Sequence, residues 1–132
     1  MYKLFITEND LKQESHFPMM ALFNEAANSD VVEFLNNINN EVGSGYNFTT
    51  CCFWSELDDY DKQGISEFNG LLIETEDREQ TVISYPDLLY YLELGCHSFI
   101  TNQPEESAKI AHLIEQFKAK YCNFLTADDS CS

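Results

Sequence analysis

Between Gly70 and Gly95 the hydrophobic pattern passes from a strand period to a helical one with no linker between them. Few arrangements allow that. Gly70 to Thr75 and Gln80 to Ser84 are apolar and β-branched runs, and the charged Glu76-Asp77-Arg78-Glu79 between them has the length of a hairpin connection. Pro86 follows at once, in a position where a first helical turn tolerates it, and Leu88, Leu89, Tyr91 and Leu92 line up behind it. Gly95 then stands where such a helix would close, giving a helix near 86–94. Parallel strands would need a crossover of a dozen or more residues, so this segment reads as an antiparallel hairpin running into a helix, an α+β signature.

The flanking segments agree with that class. Tyr46 to Trp54 is rich in aromatic and β-branched residues and reads as a strand, with Tyr46, Phe48, Thr50, Cys52 and Trp54 on one face. Residues 3–7 are readable as a further strand or as a helical start. Pro18 opens a helix near 18–27. Asp30, with Glu33 three residues on, has the form of a capping box for a second helix near 30–42, carrying Val31, Leu35, Ile38 and Val42 to a stop at Gly43. The last helix, near 104–121, has Pro104 and two glutamates in its first turn, a stripe of Ile110, Leu113, Ile114, Phe117 and Tyr121, and Lys118 and Lys120 near its end. The expectation is one α+β domain over residues 1–132. It has a small, mostly antiparallel sheet (strands near 46–54, 70–75 and 80–84, with 3–7 in question), about four helices, and a tail that frays after about 123.

Charge narrows the function more than any motif does. The chain carries 23 Asp and Glu against 7 Lys and Arg, a formal charge of −16, and eleven of those carboxylates fall between residues 51 and 100. Such an excess repels phosphates and anionic lipid and speeds encounter with a basic partner, so direct nucleic-acid or membrane binding is not expected. No run approaches the roughly 20 apolar residues of a membrane span, and the first residues have no apolar run followed by a cleavage site, which predicts a cytoplasmic protein.

The five cysteines, at 51, 52, 96, 122 and 131, have no regular spacing and predict reduced thiols. Neither they nor the three histidines make a metal-ligand pattern, and Gly43-Ser44-Gly45 lacks the form of a phosphate loop, so no cofactor or metal is expected. A Cys–His nucleophile at Cys96-His97 would follow a helix C-terminus, where the dipole opposes thiolate formation. The candidate partner-binding residues, chosen by charge alone, are Glu56, Asp58, Asp59, Tyr60 and Asp61 in an exposed loop, and Glu76, Asp77 and Glu79 at the hairpin turn.

Phe68 to Ile73, Thr81 to Leu92, Cys96 to Ile100 and the PEESAKIAHLIEQFKAKY helix together resemble CdiI-type immunity proteins of bacterial contact-dependent growth inhibition systems, over about residues 66–122. The resemblance implies a non-enzymatic cytoplasmic protein that binds and neutralises one cognate toxin, the C-terminal nuclease domain, a ribonuclease for preference, of a cell-surface CdiA protein. Interface residues in such families vary with the toxin, so the resemblance assigns none here. Two other readings are an acidic nucleic-acid mimic that blocks a DNA- or RNA-processing protein, and a small hydrolase.

Overall fold

A computed structural model describes residues 3–125. The helices are α1 (Phe17–Ala27), α2 (Val31–Asn39), α3 (Asp59–Lys62), α4 (Tyr85–Asn102), α5 (Ser107–Lys120) and α6 (Cys122–Leu125), and the strands are β1 (Ser44–Gly45), β2 (Thr49–Cys52), β3 (Gly70–Thr75) and β4 (Gln80–Ser84). The four strands form one antiparallel sheet in chain order. Helix α1 crosses β2, β3 and β4 on one face, α4 packs beside it against β3 and β4, and α5 closes over α2 and α4. The α+β expectation is met. The core between sheet and helices holds Leu22, Phe23, Phe34, Leu71, Ile73, Ile83, Leu88 and Tyr91, all fully buried.

The predicted strand at 46–54 is shorter and turned over. Only residues 49–52 form β2, and the inward side chains are Thr49, Cys51 and Phe53, not the Tyr46-to-Trp54 set. Pairing decides this, because Cys51 lies opposite Ile73, whose side chain is wholly buried, and a one-residue slip would exchange the two faces. Thr49 tolerates burial because its hydroxyl donates to Glu25 Oε1 at 2.7 Å, while the same carboxylate accepts from Phe48 N. Ser44 and Gly45, expected to lie in a helix stop, instead form the short edge strand β1 opposite Cys51 and Thr50.

Residues 3–7 are neither strand nor helix start. Two amides one turn apart, Asn24 on α1 and Asn28 at its C-terminal cap, substitute for a neighbouring strand. Asn28 accepts from Lys3 N at 2.9 Å and donates to Lys3 O at 2.7 Å. Asn24 Oδ1 accepts from Phe5 N and Ile6 N at 2.8 and 3.0 Å, and its Nδ2 donates to Ile6 O at 2.9 Å. The segment has strand-like apolar residues because Phe5 and Ile6 are core, but its hydrogen bonds go to a helix.

Three helix ends also differ from expectation. Helix α2 stops at Asn39, because Glu41 takes the left-handed conformation (φ 55°) and Val42 N reaches back to Asn37 O. Val42 is therefore left 46% exposed and outside the core stripe. Its cap follows the sequence, since Asp30 accepts from Glu33 N. Helix α4 runs through Gly95 to Asn102. The glycine is not a stop but a place of close approach, where a Cβ would meet the Phe23 ring at 2.5 Å. The final helix is divided, with a short 3-10 turn over Pro104–Glu106 before α5. The tail expected to fray lies outside the described residues, except that residues 122–125 form the turn of α6.

The chain before α1 is clasped to α4 through Asp87, Tyr90 and Tyr91. Tyr91 OH accepts from Lys12 N and lies 2.8 Å from Nδ1 of the buried His16, Tyr90 OH donates to Asp10 O, and Lys12 Nζ pairs with Asp87 at 2.7 Å. Tyr91 OH can donate to His16 Nδ1 while accepting from Lys12 N, an arrangement that suits a neutral imidazole. Burial, the larger influence, lowers the His16 pKa below the usual histidine value, although Asp87 opposes it. A histidine with a folded-state pKa below its unfolded value stabilises the fold fully above pH about 6.5, and that contribution is lost as pH falls below it. Urea unfolding of wild type and His16→Gln across pH 7.5 to 5.5 should therefore show wild type losing more stability than the variant. Parallel curves would remove His16 as the titrating group.

Candidate interaction surface

The acidic segment after β2 is a folded turn and not an open loop. Trp54–Glu56 form a 3-10 turn and Asp59–Lys62 the single turn of α3, which Asp58 caps by accepting from Asp61 N at 2.8 Å. Glu56 is the anchor of this region, since Oε1 accepts from Phe53 N at 2.8 Å and Oε2 from Gly43 N at 2.9 Å. Asp59 and Asp61 are exposed and Tyr60 is 79% exposed. Trp54 meets Phe68 edge-on at 5.3 Å, and Lys62 Nζ sits 5.0 Å above the Trp54 ring.

The second acidic group surrounds the β3–β4 turn, where Arg78 N donates to Thr75 O, Thr75 N donates to Glu79 O, and Arg78 adopts a left-handed conformation (φ 67°). Glu76, Asp77 and Glu79 are all exposed there. The two groups do not converge. Glu76 N bonds to Phe48 O at the start of β2, whereas Glu56 to Asp61 follow its end, so the length of β3, about 17 Å, separates them.

What joins them is a surface the sequence reading did not contain. The helices cover one face of the sheet, and the other carries two cross-strand rows set by register: Thr50, Glu74 and Gln80 in one, Cys52, Leu72 and Val82 in the next. Val82 is 42% exposed, and Leu72 and Cys52 are half-buried. Burial raises the Cys52 pKa, and the carboxylates of Glu56, Asp61 and Glu74 raise it further. Gln80 Nε2 donates to Glu74 Oε2 at 3.2 Å. Alternation hides such a row, because Cys52, Leu72 and Val82 lie on three strands and only pairing brings them side by side.

Nucleophilic chemistry has little support. Cys96 and His97 lie inside α4 and not after its end, so the expected dipole argument does not apply. Burial itself pushes the Cys96 and Cys51 thiols up to about 12, the reverse of an activated cysteine. Cys51, Cys52 and Cys96 are free thiols. Among the described residues no group of three His, Cys, Asp or Glu is placed to hold a metal ion, and no helix is long and apolar enough to cross a membrane.

The family model described as CDI immunity protein matches residues 11–114, from the clasped segment before α1 through the sheet and α4 into α5. The chain belongs to this family. As a CDI immunity protein it has an immunity function against toxins of contact-dependent growth inhibition, and family membership implies a cognate toxin partner and the role of an inhibitor, not an enzyme. The match extends the resemblance seen at 66–122 into the first half of the chain and includes both acidic groups and the open sheet face. A search of curated proteins found none that matches.

Proposed function

We propose that this CDI immunity protein acts in the cytoplasm and neutralises a basic nuclease toxin, a ribonuclease for preference, carried as the C-terminal domain of a CdiA protein. It does so by covering the toxin's active site or substrate-binding face with its acidic side. The observation that carries this reading is the state of the carboxylates. Among the described residues the ion pairs all use Lys12, Lys118 or Lys120, and none involves Glu56, Asp58, Asp59, Asp61, Glu76, Asp77 or Glu79. Glu56 and Asp58 accept from backbone amides, while Asp59, Asp61, Glu76, Asp77 and Glu79, in a chain of formal charge −16, are left to an external cation. A surface that attracts polyanion-binding proteins and repels polyanions suits an inhibitor of a nuclease.

The test is to co-express the chain with the toxin domain encoded beside its gene, and ask whether the two copurify and whether nuclease activity is suppressed. Failure of the pair to associate would sink the reading. If they associate, the triple variant Asp58→Asn, Asp59→Lys, Asp61→Lys, which keeps the α3 cap, should slow association about 10-fold or more at low salt and flatten its salt dependence, with little change in dissociation. Stopped-flow rates equal to wild type would take this turn out of the interface.

A further inference from the structure

We infer that the open face of the sheet, centred on the Cys52–Leu72–Val82 row, is the docking surface, and that its occupant is a basic face of the cognate toxin presenting an apolar side chain to that row. The inference rests on the immunity reading and adds where on the fold the partner sits.

Stable protein interfaces have a small apolar centre that becomes dry and a polar rim that sets orientation. The open face has that anatomy. Cys52, Leu72 and Val82 are directly opposed across three strands, a row about 10 Å long at the usual strand spacing. Carboxylates flank it, with Glu74 in the adjoining row, Asp59 and Asp61 in the turn that follows the end of β2, and Glu76, Asp77 and Glu79 beyond the far end of β3. The two acidic groups, about 17 Å apart along β3, therefore stand at the two ends of one surface and are not two unrelated sites. Val82 remains 42% exposed on a strand whose opposite face holds the fully buried Ile83.

Charge selects the occupant. A second copy would set Glu74, Asp61 and the hairpin acids against their own like, and nucleic acid or anionic lipid would meet the same repulsion. A basic protein face meets the reverse, and Lys62, the cation nearest the row in sequence on the α3 side, is turned onto the Trp54 ring.

The experiment measures affinity of the full chain for the toxin domain by surface plasmon resonance, with circular dichroism melts as a folding control. Val82→Arg puts a cation at the centre of the row at a position open to water, and should weaken binding at least about 30-fold with little change in melting. Thr50→Arg, on an exposed position of the adjoining row, serves the same purpose if Val82→Arg does not fold. Ala108→Arg, exposed on α5, should bind as wild type. Wild-type affinity in both sheet-face variants would overturn the inference while leaving the immunity reading intact. No binding by wild type would overturn both. Self-association of the free chain that Val82→Arg abolishes, seen in sedimentation, would give this face to a second copy and overturn it as well.

Discussion

Replacing Asn24 with alanine should destabilise the protein by about 3–5 kcal/mol, a large part of the 5–15 kcal/mol typical of a domain. The side chain is 1% exposed and satisfies three backbone groups of the first described segment, Phe5 N, Ile6 N and Ile6 O. Phe5 and Ile6 are themselves buried, so the variant leaves these groups without a partner in a place water reaches poorly, at about 1–3 kcal/mol each. The loss should also be local before it is global. Amide exchange at Phe5 and Ile6 should accelerate under native conditions while β3 amides stay protected. A variant within 1 kcal/mol of wild type by urea unfolding would show that the segment is held by its side chains and not by the α1 amides.

Gly95→Val should cost about 3 kcal/mol or more. A Cβ at this position would lie 2.5, 2.7 and 2.8 Å from Cε1, Cζ and Cδ1 of Phe23, and Phe23 is wholly buried with nowhere to withdraw. Removing glycine from a helix interior would normally gain up to about 1 kcal/mol, so the sign of the result measures how tightly α4 lies on α1. Combining Gly95→Val with Phe23→Leu should recover part of the loss, a coupling expected of residues in contact. Had Gly95 closed the helix, valine would face solvent and cost about 1–2 kcal/mol, with no coupling to Phe23. Thermal melts of the single and double variants separate the two.

These two positions also mark where reading the chain succeeded and where it did not. The α5 stripe of Ile110, Leu113, Ile114 and Phe117, continued by Tyr121, is buried throughout, because a 3.6-residue period is a local property that packing then uses. The hairpin and the start of α4 are legible for the same reason. Ser84 caps the helix by accepting from Asp87 N, and Pro86 sits in its first turn. Gly95 misled because a glycine in sequence marks either a helix end or a close contact, and only the position of Phe23, seventy-two residues earlier, selects between them. Residues 3–7 misled because apolar character reports burial, while the partner for the backbone bonds is set at a distance. For the proposed interaction surface, the individual acids were visible as charge, but Glu56 proved to be an internal anchor, and the Cys52–Leu72–Val82 row exists only through strand register.

The sequence by itself determined the α+β class, the strongly acidic character and the local helices and hairpin, since each depends on neighbours within a few residues or on composition alone. The tertiary structure decided which face of β2 turns inward, what holds the first described segment, where α4 ends, and how two acidic turns come to frame an open sheet face. Each of those depends on which distant residue supplies the hydrogen bond, the ring or the opposing strand, and that information is in the packing and not in the order of the chain.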